Sequence, residues 1–334
     1  MAGLHVAHIT LALDTGGLER NIVNQVREST VTHQRVYVVC VERPGTMAAE
    51  ATALGAEVVC LDKRPGFRPG MVTRIRAALR SLRPDIVHTH EPGPMFYTSL
   101  ATPGLGVLHV HTEHGRQDYT GRRLRWLART GAKRVRVFYC LTHDMADWVT
   151  GHGVVPRHKV RVIHNGIDTA AYRDGDDSAA TRAALNIPPT APVVGTVGRL
   201  VEIKRQEVLL RAFARLLPRV PAAHLVLVGD GPRRDELGAL AIDLGIAHRV
   251  RFAGHRPSSA PFLHAMNAFA LTSRSEGMPQ SLLEAGVAGV PVIASAVGGI
   301  PEVVTPGETG LLFSSGDDAA LADGLMRLLT DPPL

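Results

Sequence analysis

Short apolar runs of strand size alternate with amphipathic stretches at helical spacing from one end of the chain to the other, which predicts parallel sheets covered by helices on both faces. His5 to Thr10 reads as the first strand and Leu18 to Glu28 as the helix after it. Further strands are expected at Arg35 to Cys40, Glu57 to Leu61, Asp85 to Thr89, Val107 to His111, Val137 to Leu141 and Val160 to Ile163. A polar stretch from Asn165 to Ser178 interrupts the pattern, which then restarts with strands at Val193 to Val197, His224 to Val228, Val250 to Phe252, Ala268 to Thr272 and Val290 to Ala294. The expected fold is α/β: two doubly wound, Rossmann-like domains, 1–168 and 178–334, joined by a linker at 169–177 and facing each other across a cleft.

Length and composition agree with that division. The 334 residues suit two cores of about 150 residues each. No apolar run approaches the ~20 residues of a membrane span, and the N-terminus enters a strand without a basic region and apolar core, so no secretory leader is expected and a cytoplasmic protein is. Cys40, Cys60 and Cys140 sit in apolar runs without CxxC spacing, which predicts buried, reduced thiols. Charge is uneven: residues 1–170 hold 22 Lys and Arg against 14 Asp and Glu, and the rest 15 against 17. Much of the excess lies in Arg122, Arg123, Arg125, Arg129, Lys133, Arg134 and Arg136. This segment is either a contact for an anionic membrane or acceptor, or a solvated helix face. Aromatic residues do not interleave with it, so nucleic acid is not expected as a partner.

Several loops carry candidate chemistry. Gly16-Gly17 after the first strand is either a tight turn or a place where backbone amides approach an anion at a helix start. It has neither the GxGxxG spacing nor the Lys-Ser/Thr of a phosphate loop, which removes the main support for NAD or ATPase chemistry. Arg199, just after the first strand of the second half, and Lys204 are suited to a departing diphosphate. Gly229-Asp230-Gly231-Pro232 forms a turn fit to approach a base or ribose. The run from Glu276 to Glu284 sets two carboxylates on either side of Pro279, Gln280 and Ser281, whose amides are expected at a helix start.

Taken with Asn165-Gly166-Ile167-Asp168 and Gly298-Gly299-Ile300-Pro301-Glu302, these motifs make the chain resemble glycosyltransferase family four, which has the GT-B fold. Lys63-Arg64-Pro65-Gly66, Arg83 to Thr89 and Glu113-His114-Gly115-Arg116 are similar to sugar transferases of bacterial exopolysaccharide clusters. The resemblance implies that Arg199 and Lys204 bind the diphosphate, Glu276 the transferred sugar and Glu284 the ribose. It implies too that His114 faces the sugar, that Gly16 and Gly17 touch phosphate or acceptor, and that backbone around Gly254-His255 reads the base. Transfer is expected to retain configuration, with no metal or other cofactor. The donor is expected to be a UDP sugar and the acceptor a hydroxyl, lipid-linked acceptors included. Such enzymes usually add a helix that crosses back to the N-terminal domain after the one expected here at Asp318 to Leu329, and the sequence ends at Leu334.

Other readings remain. His88, His90, His109, His111 and His114, with Glu113, are either metal ligands or strand-end histidines lining a polar surface, the simpler account. Asp174-Gly175-Asp176 matches a metal-binding DxD string but stands in the linker, where a solvated loop is expected. A nucleotide-sugar epimerase, a natural-product glycosyltransferase and a non-catalytic relative are the alternative functions.

Overall fold

The computed structural model describes residues 3–116, 119–173 and 178–331, so Asp174-Gly175-Asp176 lies outside the described residues. The chain divides into two compact units, Met1–Asn165 and Gly166–Leu334. The expected linker is not all loop, because Ala170–Arg173 forms a short helix.

The first unit is built on seven strands: β1 (His5–Thr10), β2 (Arg35–Cys40), β3 (Glu57–Cys60), β4 (Ile86–Thr89), β5 (Leu108–Glu113), β6 (Val137–Cys140) and β7 (Val160–Val162). They pair in parallel in the order β3-β2-β1-β4-β5-β6-β7. The second unit has six: β8 (Val193–Val197), β9 (His224–Val228), β10 (Val250–Gly254), β11 (Ala268–Leu271), β12 (Val292–Ser295) and β13 (Leu311–Phe313). They pair in parallel in the order β10-β9-β8-β11-β12-β13. The order reverses between β1 and β4 in one sheet and between β8 and β11 in the other. Loops leaving those four strands part to opposite faces, which opens a crevice beyond their carboxyl ends.

Helices cover both faces, so the inner strands are apolar without alternation. All five positions of β9 and all four of β11 are buried. Leu225 and Leu227 join Leu209, Phe213 and Leu321 on one face of the second sheet, while Val226 and Val228 join Phe269 and Leu271 on the other. Ile9, Val39, Val87 and Phe96 pack together in the first unit, as do Ile22, Val23, Val38 and Cys40.

Several expected boundaries move. Strand β5 runs on to Glu113, so this carboxylate stands inside the sheet and not in a loop. Strand β12 starts at Val292, and β13 is a strand that the apolar pattern did not announce. The cysteines are free; Cys40 and Cys140 are buried, whereas Cys60, opposite Cys40 in register, is only half-buried. Among the described residues no helix is long and apolar enough to cross a membrane.

Candidate functional site

In the second unit the carboxyl ends of β8, β9 and β10 are laced through main chain. Gly198 N donates to Val228 O, Leu200 N to Asp230 O and Gly229 N to Gly254 O, each at 2.9 Å. Gly229 has φ +131°, and a Cβ there would stand 2.0 Å from Gly198 O, so only glycine lets the two loops lie together. This lacing brings Gly198-Arg199, Gly229-Asp230 and Gly254-His255 to one edge. Asp230 and His255 are exposed, and the Asp230 carboxylate accepts from Gly231 N at 2.8 Å.

Arg199 and Lys204 follow β8, and Glu276 follows β11, so the three flank the point of reversal. Lys204 and Glu276 are not independent groups, as the sequence reading had them. Lys204 Nζ donates to Glu276 Oε1 at 2.5 Å, and Ser273 Oγ donates to the same oxygen at 2.5 Å. Their side chains are 21% and 11% exposed, so the pair is mostly shielded from screening by water. The loops themselves are tied, by Thr272 Oγ1 to Lys204 O at 2.9 Å and Arg274 N to Ile203 O at 2.8 Å. Arg199 is exposed and has no ion-pair partner among the described residues. Its carbonyl accepts from the buried Gln206 side chain at 2.9 Å. Behind Glu276, Gly298 (φ +53°) lies so close that a Cβ would stand 2.1 Å from Glu276 O.

The helix Gln280–Val287 begins at Pro279, and no side chain caps it. The expected row of amides needs one correction: Pro279 has no N–H, which leaves Gln280 and Ser281 to offer theirs. Glu284 lies in the second turn of this helix, where Oε2 accepts from Ser259 Oγ at 2.9 Å. A cavity of ≈ 400 Å³ lined by Arg182, His264 and Asn267 lies at the opposite, amino ends of β8 and β11. Arg182 there is committed to the carbonyls of Pro189, Ala191 and Ala265 and to Asn267 Oδ1, a clamp on strand ends.

In the first unit Gly16 is the N-cap of the helix Gly17–Val31. The Glu19 side chain folds back over it, so that a Cβ on Gly16 would stand 2.4 Å from Glu19 Oε2. An anion at Gly16-Gly17 therefore meets a carboxylate already placed at the positive helix end. Beside β1, Glu91 follows β4 and accepts from Thr10 Oγ1 at 3.1 Å and Leu11 N at 3.2 Å. Burial first of all, with the charges of Glu19 and Glu113 adding to it, pushes the Glu91 carboxyl up to about 8. The sequence reading missed Glu91 as a candidate; only its place, just beyond the strand at the point of reversal, marks it.

His114 follows β5 and joins a histidine cluster across the sheet. His90 Nδ1 lies 2.9 Å from His114 Nε2, and His90 Nε2 lies 2.9 Å from His8 Nδ1. His88, in register with His8, bonds Thr112 Oγ1 at 2.7 Å, and Thr89 Oγ1 lies 3.0 Å from His109 Nε2 and 2.9 Å from His111 Nδ1. Burial lowers His8 to about 4 and His109 and His114 to about 3, and holds His88 and His90 well below the usual imidazole range. Nitrogens of His8, His88 and His90 lie within 4.8 Å of one another, so these three could hold a metal ion. His8 was not among the expected candidates.

The helix Arg122–Ala132 presents Arg122, Arg123, Arg129 and a 59% exposed Trp126. Among the described residues none of the basic side chains from Arg122 to Arg136 forms an ion pair.

Comparison with known proteins gives one answer in both halves. Residues 15–171 match the family described as Glycosyltransferase Family 4, and residues 177–334 match Glycosyl transferases group 1. The lipopolysaccharide core biosynthesis glycosyltransferase LpsE of Rhizobium meliloti is 37% identical over 195 residues, 58% of this chain and 54% of that protein. The D-inositol 3-phosphate glycosyltransferase of Acidothermus cellulolyticus is 30% identical over 99% of this chain and 78% of its own length. With several other relatives the match spans only about half of the relative's length. HepE of Anabaena, crystallised with UDP and glucose, superposes with a TM-score of 0.86 over 98% of this chain and 90% of its own, at 22% identity, a likeness of fold. Matching families over both halves, a relative aligned along nearly the whole chain and two parallel sheets with reversed order agree: the chain belongs to glycosyltransferase family 4, with the GT-B fold.

Proposed function

We propose that the chain transfers a sugar from a nucleotide diphosphate sugar, with UDP as the preferred nucleotide, to a hydroxyl acceptor, with retention of configuration and without a metal. The observation that carries this reading is the placement of Arg199, the Lys204–Glu276 pair and the free amides of Gln280 and Ser281 around the reversal between β8 and β11. Together they supply one cation unpaired among the described residues, a second that is held by Glu276, and a helix N-terminus where a diphosphate gains charge as it leaves. In the reaction the bond from the anomeric carbon to the diphosphate oxygen breaks, and its electron pair stays on the diphosphate. The acceptor oxygen bonds to that carbon on the same face and gives its proton to a released phosphate oxygen. Arg199 and Lys204 stabilise the departing charge, Glu276 holds sugar hydroxyls, Glu284 the ribose, and main chain at Gly254-His255 the base. The N-terminal unit binds the acceptor, and its His114 faces the sugar. The relatives named for lipopolysaccharide core and inositol phosphate glycosylation point to glycoconjugate or polysaccharide synthesis.

Thermal unfolding with UDP, GDP, ADP and TDP tests the donor. The cognate nucleotide at a hundredfold excess over its Kd stabilises the folded state by about 2.7 kcal/mol. A larger shift from another nucleotide overturns the UDP assignment, and no shift from any of them overturns the donor site. Transfer unchanged by EDTA, with product linkage of the donor's own anomeric form by NMR, is the expected outcome for the remaining two points. Donor altered without any acceptor would instead reveal an epimerase.

The exposed arginines and Trp126 of the helix Arg122–Ala132 further suit peripheral contact with an anionic membrane, with lipid-linked acceptors close at hand. Binding to anionic vesicles that weakens as salt rises is expected, whereas equal binding to neutral vesicles removes this reading.

A further inference from the structure

The buried histidines of the first unit form a hydrogen-bonded chain whose chemistry restricts its members jointly. His90 uses both ring nitrogens: Nδ1 toward His114 Nε2 and Nε2 toward His8 Nδ1, each at 2.9 Å. A neutral imidazole carries one N–H and one lone pair. His90 can therefore donate to one neighbour only, and must accept from the other. With all three rings neutral, only two arrangements exist. Either His114 Nε2 donates to His90 and His90 to His8, or both bonds run the other way. In the first, the remaining nitrogen of His114, Nδ1, is an acceptor; in the second it carries a proton. The choice made at His8 is thus transmitted to His114, with which no hydrogen bond connects it directly.

The rings cannot readily turn away from this arrangement. His8 is 3% and His90 1% exposed. The His88 ring lies 4.3 Å from that of His90 and 5.2 Å from that of His8, centroid to centroid. Among the described residues no carboxylate is hydrogen-bonded to any of the three rings, so a proton added to the buried His8 or His90 would be a charge without a partner, and the neutral rings that the two-arrangement argument needs are the favoured state.

We propose that His8 and His90 are positioning residues that fix the tautomer and ring orientation of His114, and so decide whether its Nδ1 donates to or accepts from a sugar hydroxyl. The proposal rests on the reading of His114 as a sugar-facing group. It does not need a proton to travel, because no atom is transferred; the chain works by holding one of two arrangements. A metal at His8, His88 and His90 is the competing use of the same atoms, and it excludes this one, since a nitrogen that ligates a metal has no lone pair left for a neighbouring N–H.

The experiment uses the full chain, with ¹⁵N-labelled histidine and NMR to read which His114 nitrogen carries the proton. The wild type should show one neutral tautomer at His114. His90→Asn keeps a group able to bond His114 but breaks the link to His8, and His8→Asn alters only the far end. Both should leave His114 in a mixture of tautomers or in the opposite one. Both should lower kcat by about 10- to 100-fold, the size of loss that follows removal of partners orienting metal-ligating histidines, while UDP affinity stays within about twofold. Neither should add to the loss in a His114→Ala background, because coupled residues are not additive. Unchanged UDP binding and a cooperative unfolding transition show that each variant is folded. If the His114 tautomer and kcat survive His8→Asn and His90→Asn, the positioning role is refuted and the reading of His114 stands. If His114→Ala leaves turnover intact, the reading of His114 fails, whereas the NMR result still decides whether the chain fixes its tautomer. Stoichiometric zinc, copper or nickel in the purified protein, lost in both variants, overturns the proposal in favour of a metal.

Discussion

Replacing Glu276 by glutamine should separate two effects that the structure ties to one oxygen. Glu276 Oε1 receives both Lys204 Nζ and Ser273 Oγ at 2.5 Å. The amide keeps the shape and an acceptor but loses the charge. The Lys204 ammonium still donates to the amide oxygen, but the ion-pair part of the attraction, roughly 1 kcal/mol for a partly exposed pair, is lost. That cation then becomes more available to a diphosphate. Free UDP should bind Glu276→Gln about fivefold more tightly than wild type, since about 1.4 kcal/mol is tenfold. Turnover should move the other way, because the sugar loses the carboxylate that holds it; misplacement on the ångström scale costs about 10²-fold in kcat. Calorimetric titration with UDP and steady-state kinetics at saturating donor measure the two. Lys204→Met supplies the control: in its presence Glu276→Gln should no longer tighten UDP binding. Weaker UDP binding in Glu276→Gln with an unchanged kcat would refute the reasoning, since the pair would then be only a structural tie between two loops.

Arg199→Ala should lower kcat by about 10²- to 10³-fold, as for the loss of one preorganised charge-stabilising donor, and shift stability by under about 0.5 kcal/mol because the side chain is exposed. Glu284→Gln should raise donor KM with little change in kcat, because a ribose is held alike before and during transfer; abolished turnover in a folded Glu284→Gln would reverse that assignment. Gly229→Ala should destabilise the second unit by about 2 kcal/mol or more, seen as a lower melting temperature, since its Cβ would meet Gly198 O at 2.0 Å. Glu91 should give stability a pH slope: its folded carboxyl holds a proton up to about 8 whereas the unfolded one releases it near the usual carboxylate value, so stability falls as pH rises across that interval. Glu91→Gln should flatten this slope and be the more stable protein above pH 8, as denaturant titrations at several pH values would show.

The sheets were legible because parallel strands buried on both faces are written as continuous apolar runs, and Val193–Val197 and His224–Val228 are such runs with turns on both sides. Strand β13 escaped because three residues, Leu311 to Phe313, carry no periodicity. Loop motifs revealed which residues gather, since glycines at strand ends and a carboxylate before a helix are local signals. Which of them pair was not legible. Lys204 and Glu276 are 72 positions apart and meet only because β8 and β11 are neighbours. The histidine chain is hidden for the same reason: His8 lies within β1 whereas His90 and His114 follow β4 and β5, and alternation within one strand could suggest only a row of like residues.

The edge formed by Gly198, Gly229 and Gly254 is fastened strand to strand by peptide groups, and of the exposed Asp230 and His255 side chains only that of Asp230 adds a bond, to the adjacent Gly231 N. Such a platform is robust to change in the residues that meet a ligand. Drift at Asp230 and His255 could re-tune which base is accepted while the scaffold keeps its stability, one substitution at a time and without passing through unfolded intermediates. For an engineer, the same division says where to randomise: a library at those two positions should be rich in folded proteins with altered nucleotide choice, whereas one that touches the glycines should be poor in folded proteins of any kind.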